Sequence, residues 1–226
     1  MTVPPPPGTV HVWRFDLDAE APSDVLSPDE CARSARFHFA CDARRWRAGR
    51  SLLRRTLGGY LDTPPETLKF ETGPFGKPFL PNSRLRFSVS HSGPALLLAF
   101  AWDQEVGVDV ERLRSDFVPE DLARQVFSAQ EQAALGEKAL VERHAAFLSH
   151  WTAKEAYVKA LGRGLSFPLP LLTLSPTAGT DRYGVKCEHL GGIFGTITIC
   201  RLPALPGCAA SLAAEGIVET VMLLPA

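Results

Sequence analysis

The sequence predicts an α+β protein of two similar halves, each a helix packed on a small antiparallel sheet. Helical and strand patterns alternate along the chain, a helix followed by several strands occurs twice, and turn signals separate the strands. Residues 1–9 are expected to be a flexible, proline-rich tail. Residues 10–103 are expected to form the first half and residues 104–226 the second.

In the first half, the side-chain pattern over residues 10–17 alternates with the period of a strand. Ser27 and Glu30 form a capping box that begins a helix. Residues 43–57 carry apolar side chains at helical spacing, and the pair Gly58-Gly59 is predicted to end that helix. Further strands are predicted over 68–72, 85–92 and 95–102, with a hairpin turn at Gly93-Pro94.

The second half follows the same order. Residues 106–113 alternate as a strand, and Ser128 and Glu131 form another capping box. The longest helical pattern runs from 143 to 161 and is predicted to end at Gly162. The last strands are predicted over 171–174, 183–189, 196–201 and 208–214.

Composition excludes several classes of protein. The formal net charge of −1 excludes a strongly basic nucleic-acid binder, so no nucleic-acid partner is expected. No apolar run approaches the ~20 residues that span a bilayer, and the start lacks the features of a secretory signal. The five cysteines are scattered without a Cys-x-x-Cys pair. We therefore expect a soluble, cytoplasmic protein with no membrane partner.

The distribution of charge indicates two kinds of site. Basic residues exceed acidic ones in the first hundred residues, with arginines concentrated over 33–55, and acidic residues exceed basic ones in the remainder. An anion site beside a metal site is one explanation. An arginine-rich solvated helix face is the alternative.

Asp109 and Glu111 form the first candidate pair. In a strand, they share one face while the valines at 106, 108 and 110 share the other. Two such carboxylates can converge on a hard cation such as Mg²⁺, which takes few carboxylates together with phosphate oxygens. The alternative is a polar outer face on a half-buried strand.

Glu155 and Lys159 form the second candidate pair, one helical turn apart on the same face. A surface ion pair is the alternative, but neighbouring apolar residues favour a face turned inward. Ser90 and His91 do not form a nucleophile and base, because adjacent strand residues face opposite sides. They suit a phosphate site at a strand end, as does Lys77 in the turn Gly76-Lys77-Pro78, whose alternative is a purely structural turn.

Taken in order, four motifs resemble those of the 4'-phosphopantetheinyl transferases, of the longer, monomeric type that activates surfactin synthetase. The last motif is the most specific, and the resemblance covers roughly residues 10–175. The motifs are Gly-Lys-Pro (76–78), Ser-His-Ser (90–92), Gly-x-Asp-x-Glu (107–111) and Trp-x-x-Lys-Glu-Ala-x-x-Lys-x-x-Gly-x-Gly-Leu (151–165).

This resemblance implies the pseudo-dimeric fold of that family in a monomer. It implies an enzyme that moves phosphopantetheine from coenzyme A to a serine of an acyl, peptidyl or aryl carrier protein and releases 3',5'-ADP. The implied cofactor is Mg²⁺, with Mn²⁺ as the alternative ion, and coenzyme A is the substrate.

The resemblance also implies roles for individual residues. Asp109, Glu111 and Glu155 correspond to the metal ligands, and Glu155 also to the base that takes the proton of the carrier serine. Lys159 corresponds to the residue that neutralises the pyrophosphate. The implied coenzyme A contacts are Arg33, Arg45, Gly76, Lys77, Pro78, Ser90, His91, Asp109 and Lys159.

Three positions depart from the family pattern or are explained without it. Some relatives carry a basic residue where this chain has Glu30, and some carry a small hydroxyl residue where it has Trp46. Glu131 matches an acidic position tied to the metal region in some relatives, but its capping box explains it fully.

Two other functions remain open from the residues alone. One is a metal-dependent phosphodiesterase or nuclease that acts on a nucleotide, with water as the nucleophile. The other is a non-catalytic module that binds coenzyme A. A transferase would need an apo carrier protein, and neither alternative would.

Overall fold

The structure is a computed structural model that describes residues 2–19, 24–187, 196–203 and 206–225, with the backbone alone described at Leu165. The first half contains β1 (Thr9–Asp16), α1 (Pro28–Ser34), α2 (Ala40–Leu61), a 3₁₀ turn (Pro65–Thr67), β2 (Glu71–Thr72), β3 (Pro78–Phe79), β4 (Leu85–Ser92) and β5 (Ala95–Trp102). The second half contains β6 (Val106–Arg112), α3 (Pro119–Val126), α4 (Ala129–Gly136), α5 (Leu140–Leu161), two 3₁₀ turns (Gly164–Ser166 and Leu169–Leu171), β7 (Leu172–Pro176), β8 (Arg182–Cys187), β9 (Ile197–Arg201), β10 (Cys208–Glu215) and β11 (Thr220–Pro225).

Three of the predicted helix-end signals are confirmed. Both predicted capping boxes are present, at the first residues of α1 and α4. Helix α5 ends at Gly162, which adopts a left-handed conformation with φ 63°. The strand predicted over 183–189 is observed over Arg182–Cys187, and its last two residues lie outside the described residues.

The predicted helix stop at Gly58-Gly59 is wrong, because α2 continues to Leu61 and the left-handed residue is Asp62, with φ 49°. Gly58 serves a different purpose. A Cβ at this position would lie 2.6 Å from the carbonyl oxygen of Thr63. The glycine therefore allows the chain to turn back closely over the end of its own helix.

The strands form two larger sheets and the short β2–β3 hairpin. The first sheet has the order β11-β1-β5-β4, and the second has the order β6-β10-β9-β8-β7. The α+β class is confirmed, but β11 was not predicted, and it pairs in parallel with β1. A strand from the end of the chain thus completes the first sheet, and the division at residue 103 stays a prediction.

A shared core separates the two sheets. Alternate residues of β1 and β5 meet Val106, Val108 and Val110 of β6 in one buried cluster. Helix α2 covers the other face of the first sheet, and α5 covers the other face of the second. The predicted alternation of β6 is confirmed, because its valines enter the shared core and leave Asp109 on the face toward α5.

Helix α5 lies unusually close to β6. A Cβ on Gly107 would lie 2.0 Å from the carbonyl oxygen of Ala156, so only glycine permits this approach. The contact brings Glu155 and Lys159 against the strand that carries Asp109. In the described segments, no helix is both long enough and apolar enough to cross a membrane.

Candidate active site

Asp109 lies at the centre of the candidate site. Asp109 is buried, with 4% of its surface exposed to solvent. Its Oδ1 atom accepts hydrogen bonds from Ser90 Oγ at 2.7 Å and from Lys159 Nζ at 2.6 Å. Its Oδ2 atom is buried and has no hydrogen-bond partner among the described residues. Because an unpartnered buried carboxylate oxygen is costly, this atom is suited to binding a cation.

Glu155 faces the same space from α5. Its Oε1 atom is also buried and has no hydrogen-bond partner in the described part of the chain. Burial raises the pKa of Glu155 to about 6, and the charge of Asp109 and, less strongly, that of Glu111 add to this effect. Lys159 opposes the shift. Three carboxylates therefore repel one another across one cleft, and a cation placed between them would relieve the repulsion.

Glu111, two residues after Asp109, lies nearer the surface. Its Oε2 atom accepts a hydrogen bond from Ser92 Oγ at 2.8 Å. The hydroxyl of Ser92 in turn accepts the backbone N–H of Arg112 at 3.1 Å. The end of β4 therefore holds the last carboxylate of β6 in place.

These residues fit a divalent cation of the magnesium kind. Their donors are carboxylate oxygens, which hard cations prefer, and two of those oxygens have no hydrogen-bond partner within the described segments. Among the described residues, no group of three or more acidic, histidine or cysteine side chains is already arranged to hold a metal ion. The remaining ligands would therefore come from phosphate oxygens or water, as is usual for Mg²⁺.

The cationic side of the site begins at Lys159, whose ammonium also donates to Ser90 Oγ at 2.9 Å. His91 follows Ser90 at the end of β4. Burial lowers the pKa of His91, and the charge of Lys159 lowers it further. Arg45 lies within electrostatic range of the same imidazole. We call Lys159, Arg45 and His91 the cationic margin beside the carboxylates; Lys159 and Arg45 supply its charge, and the lowered pKa of His91 favours a neutral imidazole.

Arg45 has an internal anionic partner that the sequence did not indicate. Its Nε and Nη2 atoms donate to the two carboxylate oxygens of Asp18 at 2.9 and 2.7 Å. The guanidinium of Arg33 lies 5.4 Å from the ring centroid of Trp46, the residue that follows Arg45. No pattern in the sequence could have paired Arg45 with a residue 27 positions earlier.

Lys77 forms hydrogen bonds at the start of β6, whereas Asp109 and Glu111 lie toward the end of this strand. Its ammonium donates to Glu105 Oε2 at 2.7 Å, to the Val106 carbonyl at 3.0 Å and to the Ala160 carbonyl at 3.3 Å. These three bonds use all three of its protons and tie the β2–β3 hairpin to the end of α5. Its predicted phosphate contact stays a prediction.

The neighbours of Lys77 shape the turn. Gly76 adopts φ 84°, and Pro78 begins β3 opposite Thr72. Beside this turn lies a cavity of 490 Å³ that reaches the end of α5. The structure brings Ser90, Asp109, Glu155 and Lys159 together, and Lys77 joins the Gly76–Pro78 turn to Ala160, the residue after Lys159.

Comparison with known proteins identifies the family. One family model, described as the 4'-phosphopantetheinyl transferase superfamily, matches residues 105–191, and another, described as the N-terminal part of a 4'-phosphopantetheinyl transferase, matches residues 17–102. The 4'-phosphopantetheinyl transferase HetI of Nostoc sp. is 39% identical over 166 residues, which cover 70% of each protein. The chain belongs to the 4'-phosphopantetheinyl transferase family.

Other relatives match a smaller part of their own length. The 4'-phosphopantetheinyl transferase Sfp of Bacillus subtilis is 31% identical over 145 residues, which cover 64% of this chain and 63% of that protein. A solved structure, the holo-[acyl-carrier-protein] synthase of Thermotoga maritima, matches with a TM-score of 0.42 at 21% identity, covering 50% of this chain and 63% of that one. The family assignment rests on the sequence matches.

The capping interpretation of Glu131 in this transferase is confirmed, and the structure adds partners. Its Oε2 atom accepts the Ser128 N–H at 2.7 Å and pairs with Lys154 Nζ at 2.5 Å. Its Oε1 atom accepts the Leu174 N–H at 2.7 Å and contacts His150 Nε2 at 3.0 Å. Both oxygens are engaged, so Glu131 holds the framework under α5.

Proposed function

We propose that this transferase moves 4'-phosphopantetheine from coenzyme A to a serine of an apo acyl, peptidyl or aryl carrier protein. The observation that carries the proposal is the pair of unpartnered, buried carboxylate oxygens, Asp109 Oδ2 and Glu155 Oε1, beside the ammonium of Lys159. Such a pair suits a divalent cation and a phosphate, and the relatives are named for this transfer.

Asp109 and Glu155 would hold the ion, with Glu111 beside them. We propose Mg²⁺, or Mn²⁺ in its place, because the donors are hard oxygen atoms. When bound, the ion would supply positive charge to the pyrophosphate of coenzyme A.

The residues of the chain account for the rest of the reaction. The serine oxygen of the carrier forms a bond to the phosphorus that bears pantetheine, and the bond from that phosphorus to the bridging oxygen breaks. The electron pair leaves with 3',5'-ADP. We propose that Glu155 takes the serine proton directly or through water. Lys159 then stabilises the charge that develops on the leaving pyrophosphate oxygen.

The cationic margin would bind the nucleotide end of the substrate. We propose that Ser90 and His91 at the end of β4 and Arg45 on α2 bind its phosphates. Arg45 must then exchange Asp18 for phosphate, and this exchange is feasible because both side chains are partly exposed. Arg33, Lys77, Gly76 and Pro78 remain proposed contacts at the edge of the site.

The test is intact mass spectrometry of an apo carrier protein after incubation with this protein, coenzyme A and Mg²⁺. We expect the carrier to gain the mass of one phosphopantetheine, and a carrier whose acceptor serine is replaced by alanine to gain nothing. Thorough EDTA treatment should stop the transfer, and added Mg²⁺ or Mn²⁺ should restore it.

Other outcomes would assign a different function. Release of 3',5'-ADP from coenzyme A without any carrier would indicate a phosphodiesterase. Binding of coenzyme A with no change in carrier mass would indicate a non-catalytic module. Undiminished transfer in EDTA would contradict the metal ligands.

A further inference from the structure

Three serine hydroxyls join the two sheets. β6 is an edge strand of its sheet, and its outward N–H groups need partners. Alternate residues of β4 supply them, because each serine hydroxyl accepts one backbone N–H of β6. The bonds are Val108 N to Ser88 Oγ at 3.1 Å, Val110 N to Ser90 Oγ at 3.3 Å and Arg112 N to Ser92 Oγ at 3.1 Å.

The three serines differ in the acceptors to which their hydroxyl groups donate. Ser90 donates to Asp109 Oδ1 at 2.7 Å, and Ser92 donates to Glu111 Oε2 at 2.8 Å. Within the described part of the chain, Ser88 makes no hydrogen bond to an acidic side chain. The first bond of the series therefore joins sheets only, whereas the other two also orient carboxylates.

We infer that Ser92 is a positioning residue for Glu111 in metal binding, an inference that rests on the proposed function. A hydroxyl has one proton, and the Arg112 N–H occupies the acceptor side of Ser92. Its proton is thereby directed to Glu111 Oε2, which fixes the carboxylate and leaves Oε1 available to a cation or its water.

Ser92 tests this idea more cleanly than Ser90 does. Ser90 also receives the ammonium of Lys159 at 2.9 Å, so its loss would disturb both Asp109 and Lys159. Ser92 touches the site through one carboxylate alone among the described contacts. Partners that orient metal ligands typically contribute about 10–100-fold to metal affinity.

The experiment is an Mn²⁺ titration followed by electron paramagnetic resonance, with coenzyme A present and no carrier protein, so that no turnover occurs. Ser92→Ala is expected to weaken Mn²⁺ binding about tenfold or more. Ser88→Ala is the matched control, because it removes the same kind of sheet contact. It should lower the melting temperature at least as much, because the Val108 N–H that loses its partner is buried, and it should leave Mn²⁺ affinity within about twofold of wild type.

Two further variants complete the test. Ser92→Thr, which keeps the hydroxyl, should restore most of the affinity. In a Glu111→Gln background, Ser92→Ala should have no further effect on Mn²⁺ binding. Equal Mn²⁺ affinities for the Ser92→Ala and Ser88→Ala proteins would overturn the inference while leaving the proposed transfer intact. Absence of Mn²⁺ binding by the wild-type protein would overturn both.

Discussion

The two halves hold their long helices by the same device. In the first half, capping-box Glu30 pairs with Arg54 at 2.7 Å and with Arg50. In the second, capping-box Glu131 pairs with Lys154 and His150. Helices α2 and α5 each contain 22 residues. Arg54 and Lys154 hold the same place in them, as do Arg50 and His150.

The carboxylates of the candidate site all come from the second half. Glu155 follows Lys154 and faces the cleft, whereas Arg55 follows Arg54 and pairs with exposed Asp24 at 2.6 Å. The strands differ likewise. Asp109 of β6 faces α5, whereas on β1 the stacked rings of Trp13 and Phe15 pack toward α2. The same arrangement of helix and strand therefore presents carboxylates in the second half and packed aromatic rings in the first.

The largest expected effect concerns the framework under α5. Glu131→Ala would leave Lys154, whose side chain is 0% exposed, without its counter-charge. Breaking a buried ion pair from one side costs about 3–5 kcal/mol, more than the ~1 kcal/mol of a capping residue. Urea unfolding should show this loss. Ser128→Ala is the control, because it removes the cap hydroxyl and keeps the ion pair. Equal losses of unfolding free energy in Glu131→Ala and Ser128→Ala would contradict the stabilising role of the ion pair.

The next effect separates the framework from the chemistry. Asp109→Ala and Glu155→Ala should each lower kcat/KM for transfer by about 10²–10³-fold, because each removes charge stabilisation from the reacting phosphate. Arg55→Ala, the first-half counterpart of the Glu155 change, should leave kcat/KM unaltered. Glu131→Ala should retain far more activity per folded molecule than Glu155→Ala. If either carboxylate variant keeps kcat/KM within tenfold of wild type, the site assignment fails.

A smaller effect concerns the two members of the cationic margin that the first half supplies, Arg45 on α2 and His91 on β4. If Arg45 and His91 hold the 3'-phosphate, the wild-type enzyme should prefer coenzyme A to dephospho-coenzyme A by roughly 10–100-fold in kcat/KM. Arg45→Ala and His91→Ala should reduce this preference mainly through lost activity with coenzyme A. Equal losses on both substrates would assign these residues to the pyrophosphate or to folding.

The smallest effect is an acid dependence of stability. Burial alone would raise the pKa of Glu30, but the hydrogen bond from Arg54, followed by those from Ser27 N–H and Arg50, holds it below its usual value. The unfolded chain then binds the proton more tightly. Stability is therefore fully present above the unfolded pKa of ~4.3 and is lost as pH falls through the folded pKa.

Glu30→Gln should accordingly flatten the decline of melting temperature between about pH 5 and pH 3. Thermal unfolding across this range provides the measurement. An acid decline as steep as that of the wild-type protein would show that Glu30 does not contribute to it.

Several features could be predicted because their causes are local. Ser27 and Ser128 cap the first turns of their helices through hydrogen bonds to residues three positions later. Gly162 ends α5 because glycine adopts a left-handed backbone conformation easily. The alternation of β6 follows from strand geometry, which separates Asp109 from the valines whatever the sheet packs against. The motifs were sufficient to indicate the family.

Other features depend on residues that only the tertiary structure brings together. Lys154 gave no signal beyond its motif, yet it finds carbonyl partners in Val126 and Leu169 as well as Glu131. The pairing of Arg45 with Asp18, the three bonds of Lys77 and the parallel addition of β11 to β1 likewise join distant segments. Periodicity and capping signals depend on residues that are close together in the sequence, so they predict local structure. The partner of a buried charge or of a strand edge is decided by which distant segment packs there.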